Sequence, residues 1–269
     1  MPWTSNFEIV RSPRKEIHLL KPAGSENDNW QKACTQAIDD LLYLARDLNA
    51  FPRLGKPRDE LFPIIGAQFD VAIERSAMSL FGIIGRGAHM TVYARTEEGD
   101  MKFWIPRRNA NKSTYPNMLD QAVAGGVAAG ETPFECIVRE AGEEAALDEE
   151  FVRKNAVAAG TVMWFNVSDE KAGGELGLMN PGVLYVYDLE VGADVVFEPV
   201  DGDIQSFELM SVGEVRDAMR NGEFKPACAT VMMNFLIRHG FITAENEEDY
   251  VEIVSRLHRK LPFRTAPGR

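Results

Sequence analysis

The sequence predicts an α/β (α+β) protein: a mixed sheet with helices on both sides, preceded by a smaller N-terminal α/β extension domain. Three observations carry this. Short alternating apolar runs, read as strands, recur from about residue 88 onward. Between and after them lie stretches with the 3–4 apolar spacing of helices. Before residue 88 the pattern differs, with a proline- and glycine-punctuated polar start and one long amphipathic stretch. The expected division is an extension domain over 1–87, a main domain over 88–264 and a tail over 265–269.

Residues 1–27 are polar and hold Pro2, Pro13, Pro22 and Gly24, which suggests an extended or partly disordered arm. Residues 28–49 read as a helix, with Trp30, Ala33, Ala37, Ile38, Leu41, Leu42, Ala45 and Leu48 on one stripe and Asp28 as its cap. A segment with Pro52, Gly55 and Pro57 follows, and residues 61–85 carry no clear pattern. Strands are expected at 89–95, 101–108, near 119–124, and at 156–167, 183–191 and 204–210. A helix begins near Pro133, whose missing N–H is harmless in a first turn. Ser211 and Glu214 form a capping box for a helix near 212–221. Helices over 226–239, closed by Gly240, and over 245–259 complete the chain.

Composition is that of an ordinary globular protein of 269 residues. The net charge of −12 argues against nucleic acid as a partner, since phosphate backbones select basic surfaces. No apolar run approaches a membrane span or a secretion signal, so no membrane partner and a cytoplasmic location are expected. Cys34, Cys136 and Cys228 are odd in number and far apart, and read as reduced thiols, with Cys136 a packing residue.

The chemistry is concentrated in residues 125–147. Glu140, Glu143 and Glu144 stand at i, i+3 and i+4, within about 100° of one helical face. Clustered carboxylates repel, but their hard oxygens suit Mg2+ when a substrate brings phosphates. Upstream, Arg107, Arg108 and Lys112 put cations near the glycine turn, where arginine forks suit phosphate oxygens. Gly142, in mid-helix, costs about 1 kcal/mol against alanine and marks either an unconstrained position or the close approach of another backbone segment.

The spacing of Gly125, Glu131, Arg139-Glu140 and Glu143-Glu144 resembles the Nudix box, G-x5-E-x7-R-E-U-x-E-E-x-G-U with U a bulky apolar residue. Ala146 replaces the last glycine, Ala141 is small for a U, and Leu147 fits. The resemblance implies the Nudix α/β/α sandwich and Mg2+-dependent hydrolysis of a small-molecule diphosphate, with Mn2+ as a substitute. It makes Glu140, Glu144, Glu143 and the carbonyl of Gly125 the metal ligands. Arg139 and Glu131 would brace the loop and helix by pairing with each other. A general base outside the box is expected among Glu175, Glu198, Asp203 and Glu208, with Glu144 itself as the alternative.

Segments 79–95, 103–126, 134–145, 222–229 and 251–263 resemble a two-domain Nudix subfamily related to thiamine pyrophosphokinase. That implies thiamine diphosphate or its oxidised analogues as substrate, cleaved to the monophosphate and phosphate. Trp104, Tyr115, Trp164 and Phe165 are candidate walls for a heteroaromatic ring, while His89 reads as a structural histidine. The alternatives are a nucleoside diphosphate derivative as substrate, isoprenoid diphosphate isomerisation, for which Arg108, Lys112 and Pro116 fit the substrate loop, and a non-catalytic binding module. A homodimer is expected by analogy with other Nudix enzymes.

Overall fold

A computed structural model describes residues 1–25, 29–55, 60–192, 194–200 and 202–266. Asp28, Pro57 and the end of the tail lie outside these residues.

The arm at the N-terminus is a correction: β1 (Phe7–Val10) and β2 (Glu16–Leu19) pair as an antiparallel hairpin. The reason is packing, because Phe7 and Leu19 face each other in register and both rest on an apolar cluster. That cluster is built on α1 (Trp30–Asp47), whose buried face is Cys34, Ala37, Ile38, Leu41, Leu42 and Ala45. The unassigned stretch that follows forms a second small hairpin, β3 (Leu61–Pro63) with β4 (Ala72–Glu74), and then a 3-10 turn over Arg75–Leu80. Arg46 of α1 pairs with the buried Glu74 of β4, so a charge pair as well as apolar contact fixes the helix on the hairpin.

The main sheet is ordered β10 (Ile204–Ser211), β6 (Met101–Arg108), β5 (Gly85–Arg95), β9 (Met179–Val191), β8 (Val157–Val167). β5 and β9 run parallel and the remaining pairs antiparallel, so the sheet is mixed. β5 is shared on its other edge: its end pairs β6, while Gly87–Met90 pairs β7 (Val123–Gly126). The strand expected near 119–124 thus begins later, and Leu119 makes only single bridges to Arg107 and Phe224.

Alternation along β5 separates the layers. Ala88, Met90, Val92 and Ala94 pack with Cys136, Ile137, Val138 and Ala141 of α2 (Pro133–Ala145) and with Val152 of α3 (Glu149–Asn155), a helix the sequence reading missed. Tyr93, with Phe103 and Ile105 of β6, packs against α4 (Val212–Arg220) and α5 (Pro226–Arg238). Val162, Leu184 and Val186 meet α5 and α6 (Tyr250–Leu257), which is shorter than the expected 245–259. β9 is almost continuously buried, as a central strand covered on both faces must be. The result is a helix–sheet–helix sandwich. Among the described residues no helix is long and apolar enough to cross a membrane.

The capping box of α4 is present, with Ser211 and Glu214 each accepting the other's backbone N–H. Nothing lies within 4 Å of a Cβ placed at Gly142, which rules out the close approach of another segment there.

Candidate active site

The box begins as the edge strand β7 and turns into α2, which Thr132 caps by accepting the Glu135 N–H. Cys136 packs in the core on the inner side of this helix, where burial pushes its thiol up to about 12. Ala146, in the place of the family's last glycine, takes the left-handed conformation (φ 50°) that closes the helix. Glycine would adopt it without strain.

Gly125 is required for a different reason. A Cβ there would overlap the carboxylate of Glu140, so the missing side chain is the space that Glu140 fills. Glu144 lies alongside, its Oε2 accepting the Ala124 N–H at 2.9 Å. Burial pushes the carboxyl of Glu140 up, with Arg139 opposing and Glu143 adding to it. Burial also pushes Glu144 well above the ordinary range, against the Ala124 N–H, and the charges of Glu140 and Asp120 add to the shift. Glu143 points outward with 59% of its side chain exposed. Arg139 gathers the box: it donates to Glu131 (3.0 and 3.3 Å), Glu140 (2.8 Å) and Glu143 (3.1 Å). Burial raises the Glu131 carboxyl, but the Arg139 bonds and the Ala128 N–H outweigh it and hold Glu131 below its usual range.

These groups open on a polar cavity of about 470 Å3. Its lining contains six basic side chains (Arg53, Arg75, Arg108, Lys112, Arg139, Lys225) and six acidic ones (Glu60, Asp120, Glu140, Glu143, Glu144, Asp203). Its floor is a buried cluster in which sequence reasoning named Arg108 but missed Asp120 and Lys225. Asp120 accepts from Arg108 Nη1 at 2.6 Å, from the Cys228 thiol at 2.6 Å and from Lys225 Nζ at 3.3 Å. Burial pushes the Asp120 carboxyl up, yet Lys225 and Arg108 outweigh it and hold it below the carboxylate range. Burial opposes the Lys225 charge, and Asp120 more than restores it. An aspartate inside the apolar run MLDQAV was the available signal, since an unpaired charge there would be prohibitively desolvated. Asn166 and Asn180, on β8 and β9, also line the cavity and carried no signal of their own.

The other expected residues divide. Arg107 is a correction: strand alternation turns it away from the cavity, to Glu208 (2.9 Å) and the Asn117 carbonyl (3.1 Å). Arg108 does face the cavity, but its donors are committed to Asp120, Thr114 and Tyr115. Lys112 lines the cavity and pairs with Asp203. Of the four outlying carboxylates only Asp203 reaches the cavity. Glu175 accepts from the Arg53 N–H, Glu208 holds Arg107, and Glu198 is exposed. Tyr115 and Trp164 are wall residues, whereas Trp104 packs on Phe197 in the core and Phe165 sits beside Phe263. His89 is buried in the α5 layer.

The donor set fits a divalent cation. Two half-buried carboxylates, both lifted in pKa by desolvation, would be relieved by one. Among the described residues no group of three acidic, histidine or cysteine side chains is arranged to hold a metal ion. An ion here would complete its shell with water, carbonyl and substrate oxygens, which is the habit of Mg2+.

The NUDIX domain family model matches residues 85–228, more than half of the chain. A relative from Saccharomyces cerevisiae, the uncharacterized protein YJR142W, is 41% identical over 72% of this chain and 58% of its own length. Nudix hydrolase 20, chloroplastic, of Arabidopsis thaliana is 34% identical over 84% of this chain and 58% of its own. A solved structure, DR0079 from Deinococcus radiodurans, is 21% identical with a TM-score of 0.42, covering 74% of this chain and 100% of that one. The chain belongs to the NUDIX family. It spans a little under three fifths of the length of the two named relatives.

Proposed function

We propose that the chain hydrolyses a diphosphate linkage in a small molecule with Mg2+, or Mn2+ in its place, and that its substrate is thiamine diphosphate or an oxidised analogue. The observation that carries the hydrolase reading is the pair of half-buried carboxylates, Glu140 and Glu144, raised by desolvation, in a cavity that basic side chains share. The thiamine assignment rests on the subfamily resemblance, supported by Tyr115 and Trp164 as walls against which a ring can stack.

In this reading Glu140, Glu144 and the carbonyl of Gly125 hold the cation, with Glu143 at the outer edge. The bound cation would screen the phosphate oxygens and lower the pKa of the attacking water. Glu144 keeps Oε2 on the Ala124 N–H, which leaves Oε1 for the cation. Arg139 and Glu131 hold the loop and helix together, so that Glu140 stays in the space left by Gly125. Lys112, Arg108 and Lys225 put positive charge where the phosphates would lie. Cys228 offers little to isomerase chemistry, since it is fully buried and its thiol is raised well above normal by burial. The proposal includes the division into 1–87 and 88–264, a homodimer, and a reducing compartment, which the three unpaired thiols support.

The test is cleavage, read by chromatography of the monophosphate, phosphate and diphosphate products, of thiamine diphosphate, its oxo and oxy analogues, NADH, ADP-ribose, nucleotide sugars and deoxynucleoside triphosphates, with and without Mg2+. Selective cleavage of the thiamine set supports the full reading. Cleavage only of nucleotides keeps the hydrolysis and discards thiamine. Glu144→Gln should lower turnover by at least ~100-fold, about 2.7 kcal/mol of barrier, in a folded protein. Near-normal turnover in that variant would remove Glu144 from the mechanism.

A further inference from the structure

We propose that Arg75, which comes from the N-terminal segment outside the family match, binds the phosphate of the substrate, so that the site is complete only when that segment is docked. The inference rests on the hydrolase reading above and adds a residue that the Nudix box does not contain.

The glycine pair of β7 is a double socket. On one side the space at Gly125 is filled by Glu140; on the other the space at Gly126 is filled by the N-terminal segment. A Cβ at Gly126 would lie 2.5 Å from the ring of Phe62 and 3.8 Å from Cζ of Arg75. Neither glycine has a positive φ, so close approach, not backbone freedom, is what each provides. The Ala129 N–H donates to the Leu61 carbonyl at 2.9 Å, which ties the start of the hairpin to the box loop. Arg75 is held by its own strand pair: its N–H donates to the Glu60 carbonyl at 3.0 Å, and its guanidinium lies over the Phe62 ring at 5.7 Å. The side chain faces the cavity, and its charge is among those that act on Glu140.

Its freedom distinguishes it from the other arginines in the lining. Arg108 and Arg139 each donate to several partners, and Arg53 is tied to the Gly173 carbonyl and to Glu175. Among the described residues Arg75 makes one side-chain hydrogen bond, from Nη1 to Glu60 at 3.0 Å, and both side chains are nearly half exposed. An arginine has five N–H donors, so most of this fork is open to two phosphate oxygens at once. The exposed Glu60 bond is the weak kind that a dianion displaces. Arg53 supports the arrangement from the side, because the same segment uses it to clamp the loop between β8 and β9.

The experiment compares the wild-type chain with Arg75→Ala, Arg75→Gln, Arg75→Lys and a distant control, Arg95→Ala. Binding of inorganic diphosphate is measured by calorimetry with and without Mg2+, alongside kcat and KM on whichever diphosphate ester the panel selects. Arg75→Ala and Arg75→Gln should weaken diphosphate binding at least about tenfold, the loss expected for one charge-assisted contact. KM should rise more than kcat falls. Lysine should recover part of the binding, as a point charge without the fork, and Arg95→Ala should bind as wild type does. Wild-type affinity in both neutral variants with unchanged melting midpoints, or no diphosphate binding by the wild-type chain, would overturn the inference. The hydrolase reading fails separately: no ester is cleaved, yet diphosphate binds and the Arg75 variants lose it.

Discussion

Gly125→Ala separates site geometry from stability. The added methyl would sit under 3.0 Å from Oε1, Cδ and Cγ of Glu140, whereas ordinary carbon contacts begin near ~3.5 Å. The backbone at 125 has negative φ and accepts alanine, so the strand itself is not strained. Glu140 therefore gives way, because it is the far end of a flexible side chain. Its carboxylate must retreat by roughly 1 Å and lose part of its bond to Arg139. A misplacement of about that size in a catalytic constellation costs on the order of 100-fold in rate, or about 2.7 kcal/mol. The cost in folding should stay near 1 kcal/mol, since one half-buried ion pair is all that is disturbed. The assay is Mg2+-dependent phosphate release by the purified variant, paired with urea unfolding of the same sample. A folded Gly125→Ala chain with wild-type turnover would refute the claim that this glycine makes room for a catalytic carboxylate. Unfolding by several kcal/mol would refute the claim that the side chain, not the strand, absorbs the clash.

Three further outcomes are expected. Gly126→Ala meets an aromatic ring buried to 3% exposure, not a flexible tip, so it should destabilise by about 1–3 kcal/mol, read by urea unfolding. Asp120→Ala would strand Arg108 and Lys225 without their buried counter-charge and should cost about 3–5 kcal/mol by the same measurement, with Asp120→Asn milder. His89 is brought from 6.5 down to about 3 by burial, with the Lys225 charge adding, so the unfolded chain binds a proton that the folded chain refuses. The contribution of His89 to stability should fall with acidification between those values, by up to about 1.4 kcal/mol per pH unit, with the raised Glu140 and Glu144 acting in the opposite sense, and His89→Leu should remove that contribution.

The long elements were legible because one period governs each of them. The strand 89–95 and the buried stripe of α1 follow from alternation in sequence and 3–4 spacing. The box was legible because its residues are neighbours on one turn of chain. The rest of the site is assembled across the fold. Lys225 and Asp120 are over a hundred positions apart in sequence and meet only because Leu119 bridges to Phe224. Arg107 and Arg108 look equivalent as a dipeptide, yet a strand sends successive side chains to opposite faces and only Arg108 reaches the cavity. The four-residue strands of the N-terminal hairpin are too short and too polar to show a pattern, and their pairing depends on Phe7 and Leu19 finding the cluster on α1.

The parallel pairing of β5 with β9 also sets the order in which the molecule can be made. It joins Gly85 to Gly182, with β6, β7, α2, α3 and β8 lying between them in the chain. Closing so long a loop is slow, and it waits for the second partner to exist. During synthesis, α2 and its glutamates leave the ribosome well before β9, and Lys225 of the cavity floor follows later still. A ribosome-bound nascent chain halted at residue 175 should therefore carry the whole box but neither the parallel pair nor the cavity floor. Its carboxylate helix would stay open to a chaperone until the far side of the sheet arrives.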